Sequence, residues 1–167
     1  MPEVVFDCCV ISNFALSGPL TVLLSMYSGT SYITNFVSAE ISRGIQNGHG
    51  ELASVKEALK NGWLKEITLE TDEEKALQEK LSVSLGFGEA SSIAVAKMRG
   101  YVFASDDKVA RREANLLGIP LTGTLGILAK SVNKSIITMN TADSYLKKMT
   151  AHGFYSPVNS AKEIDSS

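Results

Sequence analysis

The sequence predicts a three-layer α/β/α domain built on a central, mainly parallel sheet. Short apolar runs at Val4–Phe6, Ser31–Thr34 and Tyr101–Ala104 read as strands, and stretches of helical periodicity separate and follow them. The alternation contains no repeat or linker, so residues 1–156 are expected to form one domain and 157–167 a polar, frayed tail. Acids recur where these elements begin or end, at Phe6-Asp7, Ala39-Glu40, Gly88-Glu89 and Asp106-Asp107.

Val4–Phe6 reads as a short buried strand. A helical stretch from about Ser12 to Met26 is broken at Gly18-Pro19, where Pro suits the first turn of a new helix. Ser31–Thr34 is the second strand, and Asn35 can cap the helix carrying Val37, Glu40, Ile41 and Ile45. Asn47-Gly48-His49-Gly50 is a break, and Leu52–Leu59 a further helix stopped at Asn61-Gly62. Trp63 opens an alternating run to Ile67 that reads as a strand, with Trp63 expected in the core. Thr71-Asp72-Glu73-Glu74 carries a capping-box signature and launches a charged helix to about Val83, whose acids Asp72, Glu73, Glu74 and Glu79 read as an exposed face. After a loop at Leu85–Gly88, Glu89–Met98 is a helix of small residues suited to close packing on a sheet. Tyr101–Ala104 is a strand, Asp106–Leu117 a helix ending at Gly118, and Ile119–Thr122 a short strand whose Pro120 suits an edge or a strand start. Gly123–Val132 and Thr141–Met149 complete the helices.

At 167 residues the chain is long enough to bury a real core. A formal net charge of -2 gives no general attraction to nucleic acid or membrane, so any polyanion must be met by local basic patches or metal ions. No apolar stretch suits a membrane span and no basic leader precedes Val4, so a soluble, cytoplasmic protein is expected. Cys8 and Cys9 are adjacent and the only cysteines, which excludes an ordinary disulfide framework or a zinc site; they read as small packing residues. His49 and His152 each sit beside Gly in turn-like sequence and read as surface or turn residues.

If the strands are parallel, their carboxyl ends share one edge of the sheet, where α/β proteins place ligand sites. Asp7, Glu40, Glu89, Asp106 and Asp107 then converge on one pocket. Such a pocket repels itself unless a cation occupies it, and oxygen-only ligands favour Mg²⁺ or Mn²⁺. Each acid has an alternative role. Asp7, Asp106 or Asp107 could cap a helix, Glu40 could be solvated, and a helix start favours Glu89 through the dipole. The shared topological position makes the set stronger than any member.

Longer segments resemble a known family. Val4-Val5-Phe6-Asp7-Cys8-Cys9-Val10-Ile11 resembles the opening strand of PIN domains, and Glu40 matches that family's second acid, in the helix after the second strand. Leu85-Gly86-Phe87-Gly88-Glu89-Ala90-Ser91-Ser92-Ile93-Ala94-Val95-Ala96 is similar to the LDxGEAxAIALA segment of a prokaryotic, VapC-like branch. Ser105–Ala114 resembles its DDxxAR segment, Leu117–Leu128 its LGIPVTGTLGIL segment, and Leu146 with His152-Gly153-Phe154 its closing helix. Gly86 departs from this pattern where many relatives carry Asp, and Cys8 where Thr or Ser follows the first Asp.

The resemblance implies a metal-dependent ribonuclease like the toxin halves of toxin–antitoxin pairs, with a homodimer and a small antitoxin covering the acidic groove. Asp7, Glu89 and Asp106 or Asp107 would hold one or two Mg²⁺ or Mn²⁺ ions, with Glu40 completing the catalytic set. Either Asp106 or Asp107 can be the closer ligand. Ser105 would orient an acid or touch a phosphate, while Arg43 and Arg111 could contact RNA, with Arg112, Lys97 and Arg99 as further local cations. A phosphoacceptor receiver domain and a DxD phosphatase also use strand-end acids, but the first pairs two acids after its first strand and the second needs an acid at position 9, where this chain has Cys8-Cys9. A catalytically silent PIN scaffold that binds a protein partner is the remaining alternative.

Overall fold

The computed structural model describes residues 2–154, 156 and 160; apart from Ser160, the expected tail at 157–167 lies outside them. β1 (Val4–Phe6), β2 (Ser31–Thr34), β3 (Lys65–Ile67), β4 (Val102–Ala104) and β5 (Leu121–Thr122) form a sheet of order β3-β2-β1-β4-β5. Every recorded pairing is parallel. β1 is central and fully buried, as a continuous Val-Val-Phe run requires when both faces are covered. Its side chains alternate between two cores. Val4 and Phe6 join one, Val5 the other.

The first core is covered by α1 (Cys8–Ser17), α2 (Leu20–Met26), α3 (Asn35–Gln46), α4 (Ala53–Lys60), α8 (Thr124–Asn133) and α9 (Met139–Ala151), through Ile11, Leu23, Ile41, Val55, Ile127 and Leu146. On the opposite face, α5 (Asp72–Leu81), α6 (Phe87–Arg99) and α7 (Lys108–Leu116) contribute Leu81, Ile93 and Ala110. The three-layer α/β/α arrangement is therefore observed. Gly100, at φ 72, ends α6 in the left-handed conformation that glycine adopts without a Cβ clash.

Local chemistry moves several boundaries. The first helix begins at Cys8, because Asp7 takes the cap position and accepts from Cys8 N–H; both cysteines thus lie in a helical turn. Thr34, not Asn35, caps α3, its hydroxyl accepting from Val37 N–H at 3.3 Å. Trp63 is 54% exposed, and Leu64 fills the core position instead, because the strand starts only at Lys65 on the sheet edge. The Thr71 capping box forms as expected. Glu74, read as part of an exposed face, is instead buried: it accepts from Glu70 and Thr71 N–H and from Arg99 Nε at 2.7 Å. No described helix is long and apolar enough to cross a membrane.

Candidate active site

β1 and β4 end side by side, with Phe6 paired to Ala104 and Asp7 N–H donating to the Ala104 carbonyl at 2.9 Å. Both chains then leave the sheet at an acid. Asp7 is 3% exposed, and its carboxylate accepts from Cys8 N–H at 2.7 Å, Ser105 Oγ at 2.8 Å and Cys9 Sγ at 3.4 Å. Burial pushes its carboxyl up to about 6; the three hydrogen bonds oppose the shift, and the charge of Glu40 adds to it. Glu89 stands in the first turn of α6. Burial, then the charges of Asp7 and Asp107, push it up to about 7, and a hydrogen bond shared with Asp107 works in the same direction.

Glu40 reaches this group from α3. Its carboxylate lies against the backbone of Gly88, where any Cβ would run into it, so the glycine before Glu89 is what admits the second acid. Phe36 and Phe87 close the same α3–α6 seam with ring centroids 5.7 Å apart, and Thr34 and Ser91 hydroxyls meet at 2.8 Å beneath it.

Asp106 and Asp107 divide. Asp107 caps α7, accepting from Ala110 N–H at 3.2 Å through Oδ2. Asp106 turns the other way. Its Oδ1 accepts from Thr124 N–H at 2.8 Å, and its Oδ2 from Asn13 Nδ2 at 3.1 Å and from the Thr124 hydroxyl. Asp106 thus brackets α1, β4 and α8 together. Gly123 allows this, since a Cβ there would come within 2.7 Å of Asp106 Oδ1.

All five acids line one cleft of about 1170 Å³, with Lys108, Arg111 and Lys130 beside them. A family model described as a PIN domain (DUF3368) matches residues 3–166. The chain belongs to the PIN domain family. No curated protein matches the sequence. Among solved structures, the crystal structure of PAE2754 from Pyrobaculum aerophilum is similar at a TM-score of 0.48 and 18% identity, over 74% of this chain and 91% of that one. PIN domains are typically nucleases and generally use divalent metal ions.

The donors of this PIN domain suit such an ion chemically. The carboxylates are hard oxygen ligands. Burial holds the Cys8 thiol up at about 12 and raises that of Cys9 further, so neither is a thiolate ligand or nucleophile near neutral pH. The raised carboxyls of Asp7 and Glu89 are those of a site with too much negative charge and too little water, the condition a dication relieves. The side chains as they stand do not close a ligand shell: among the described residues, no three His, Cys, Asp or Glu groups are disposed to hold one metal.

The remaining expected site residues separate clearly. Ser105 is fully buried beneath Asp7, donating to it and accepting from Asp107 N–H at 3.2 Å, so it positions acids and cannot reach a substrate phosphate. Arg111 lines the cleft, but its Nη1 donates to the Ser105 and Thr122 carbonyls at 2.7 and 2.9 Å, stapling the ends of β4 and β5. Arg43 is exposed on α3 and lies outside the cleft lining. Lys97 donates to the Leu117 carbonyl and Arg99 to Glu74, which leaves both in structural roles. Asn13, Thr124, Lys108 and Lys130 were not singled out from the sequence. Asn13 had one visible signal, an amide beside Ser12 inside the mostly apolar run Val10–Leu16.

Proposed function

We propose that this PIN domain is an Mg²⁺- or Mn²⁺-dependent endoribonuclease acting as the toxin half of a toxin–antitoxin pair. The observation that carries the nuclease reading is the convergence of Asp7, Glu40, Glu89 and Asp107 on one cleft at the carboxyl edge of the sheet. These four would hold the ion or ions. When bound, the metal supplies an activated water and offsets charge on the scissile phosphate and leaving oxygen. Ser105 fixes Asp7 and the start of α7, so that two ligands are held by one hydroxyl. Asp106, its oxygens already committed to Asn13 and Thr124, serves as a positioning residue. Burial and the neighbouring acids raise the Glu89 carboxyl to about 7, so metal entering at neutral pH displaces a proton from part of the Glu89 population.

The toxin role, the homodimer and the small antitoxin rest on the resemblance of the Leu85–Ala96, Ser105–Ala114 and Leu117–Leu128 segments to the VapC-like branch. Growth arrest on expression, relieved by Asp7→Asn, is the expected sign of it.

The deciding experiment is cleavage of a mixed structured and single-stranded RNA pool in Mn²⁺, Mg²⁺ or EDTA, comparing wild type with Asp7→Asn. Metal-dependent cutting lost in the variant supports the nuclease; a folded wild type that binds Mn²⁺ and cuts nothing supports a silent scaffold. The engaged oxygens of Asp7 favour that second reading.

A further inference from the structure

Asn13 stands inside α1, an unfavourable place for an amide that competes for backbone hydrogen bonds. It is not among the residues lining the cleft, so it meets neither ion nor substrate there. Its side chain instead closes a triangle. Nδ2 donates to Asp106 Oδ2 and to Thr124 Oγ1, both at 3.1 Å, and the Thr124 hydroxyl donates to the same Asp106 oxygen. That hydroxyl has one hydrogen and gives it to the carboxylate, so towards Asn13 it can only accept. Position 13 therefore needs two hydrogens on one atom of a short side chain. An amide supplies them; a hydroxyl or a carboxylate does not.

The triangle governs more than Asp106. With Oδ1 held by Thr124 N–H at 2.8 Å and Oδ2 by two further donors, both oxygens of Asp106 are committed to protein groups. Its neighbour Asp107 is the one left beside Glu89. The turn between them is fixed from two sides. Asp107 N–H donates to Ser105 Oγ at 3.2 Å, and that hydroxyl donates to Asp7. One helix thus bears on two of the acids: Asp7 caps α1, and Asn13 reaches the β4–α7 turn from its second turn. Outer partners that orient metal ligands in this way commonly change affinity by about 10–100-fold.

We propose that Asn13 is a positioning residue of the metal site: by engaging Asp106 it determines that Asp107, and not its neighbour, faces the ion. The inference rests on the metal-dependent reading of the cleft and adds to it a residue that lies outside the cleft.

An exchange of the two partners in the full chain tests this. Asn13→Asp sets two carboxylates against each other, and Asp106→Asn sets amide hydrogens against a donor whichever way the amide turns. Together the two changes rebuild the triangle with its charge moved to α1. The amide at 106 then donates to the carboxylate at 13 and to the Thr124 hydroxyl, and still accepts from Thr124 N–H. Mn²⁺ affinity is read from the electron paramagnetic resonance signal of the free ion, and the fold from melting curves in EDTA. Each single variant should weaken Mn²⁺ binding about tenfold, the lower end for an outer partner of a metal ligand. The double variant should recover most of that loss. Asn13→Ala removes the donors without adding charge and takes the place of Asn13→Asp if that variant does not fold. A folded double variant that binds Mn²⁺ as weakly as Asp106→Asn makes Asp106 itself a ligand and overturns the proposal. Single variants that melt lower yet bind Mn²⁺ like wild type leave Asn13 a packing role only, which also overturns it. Folded wild type that binds no Mn²⁺ overturns the metal reading as a whole, a result distinct from the other two.

Discussion

Asp7 holds a proton more readily in the folded, metal-free protein than in the unfolded chain. Its carboxyl is raised to about 6 in the folded protein, whereas an unfolded chain titrates near 3.8. Folding therefore takes up a proton between about pH 4 and 6, and metal-free protein should lose stability as pH rises through that window. Two pKa units correspond to about 3 kcal/mol. Melting curves in EDTA should show this slope, Asp7→Asn should flatten it, and Mn²⁺ should reverse it by favouring the carboxylate. The Glu89 carboxyl, raised to about 7, gives a second observable: Mn²⁺ binding near pH 7 should release protons, seen by calorimetry in buffers of different ionisation heat. No dependence on buffer would argue against Glu89 as a ligand. Gly88→Ala tests the approach of Glu40. The new methyl meets the end of a flexible side chain, so the protein should fold with little change in Tm while Mn²⁺ affinity falls. At this scale Asp7, Glu89 and Asp107 were legible in the sequence, because an acid directly after a strand or before a small-residue helix has few places to go. Asp106 was not separable from Asp107, since which neighbour turns inward depends on Asn13 and Thr124, far away in sequence.

Among the elements, α5 and α6 are joined by one buried ion pair. Burial alone would raise the Glu74 carboxyl; Arg99 and the N–H groups of Glu70 and Thr71 outweigh it and hold it at about 2. The pair thus stabilises the fold above about pH 4.5 and loses that contribution as pH falls toward 2. Glu74→Ala should cost about 3 kcal/mol in urea denaturation at pH 7, because it strands a cation and two backbone donors. A loss below 1 kcal/mol would place the pair with ordinary surface bridges. The capping box was readable from Thr71 and Glu74 alone, being local. The burial of Glu74 was not, because it depends on Arg99 arriving from the next helix with a second donation to the Thr68 carbonyl at 2.7 Å. Trp63 failed for a related reason: alternation marks a strand but not which of its neighbours reaches the core, and at the β3 edge Leu64 does.

For the whole molecule, alternating strands and helices were enough to give the layers and the parallel sheet, since β1 is apolar on both faces and each crossover is helical. The charge distribution was harder to read. A net charge of -2 hides a cleft lined by five acids together with Lys108, Arg111 and Lys130. The cations marked by their sequence proximity to the acids, Arg43 and Arg99, belong elsewhere, one exposed on α3 and one paired to Glu74. RNA binding should accordingly keep its salt slope in Arg43→Ala and lose part of it in Lys108→Ala, as measured by anisotropy across KCl concentrations. A slope that falls in Arg43→Ala would move the RNA path onto α3.

The hydroxyl of Ser105 reaches Asp7 across a sequence separation of 98, and Asn13 reaches Thr124 across 111. A parallel sheet allows no shortcut, since β1 cannot be flanked on both sides until β4 has been made. A chain emerging from a ribosome thus carries Asp7 and Glu40 long before it carries the residues that orient them. The acids of the cleft therefore come together in their final arrangement only after synthesis has passed Thr124.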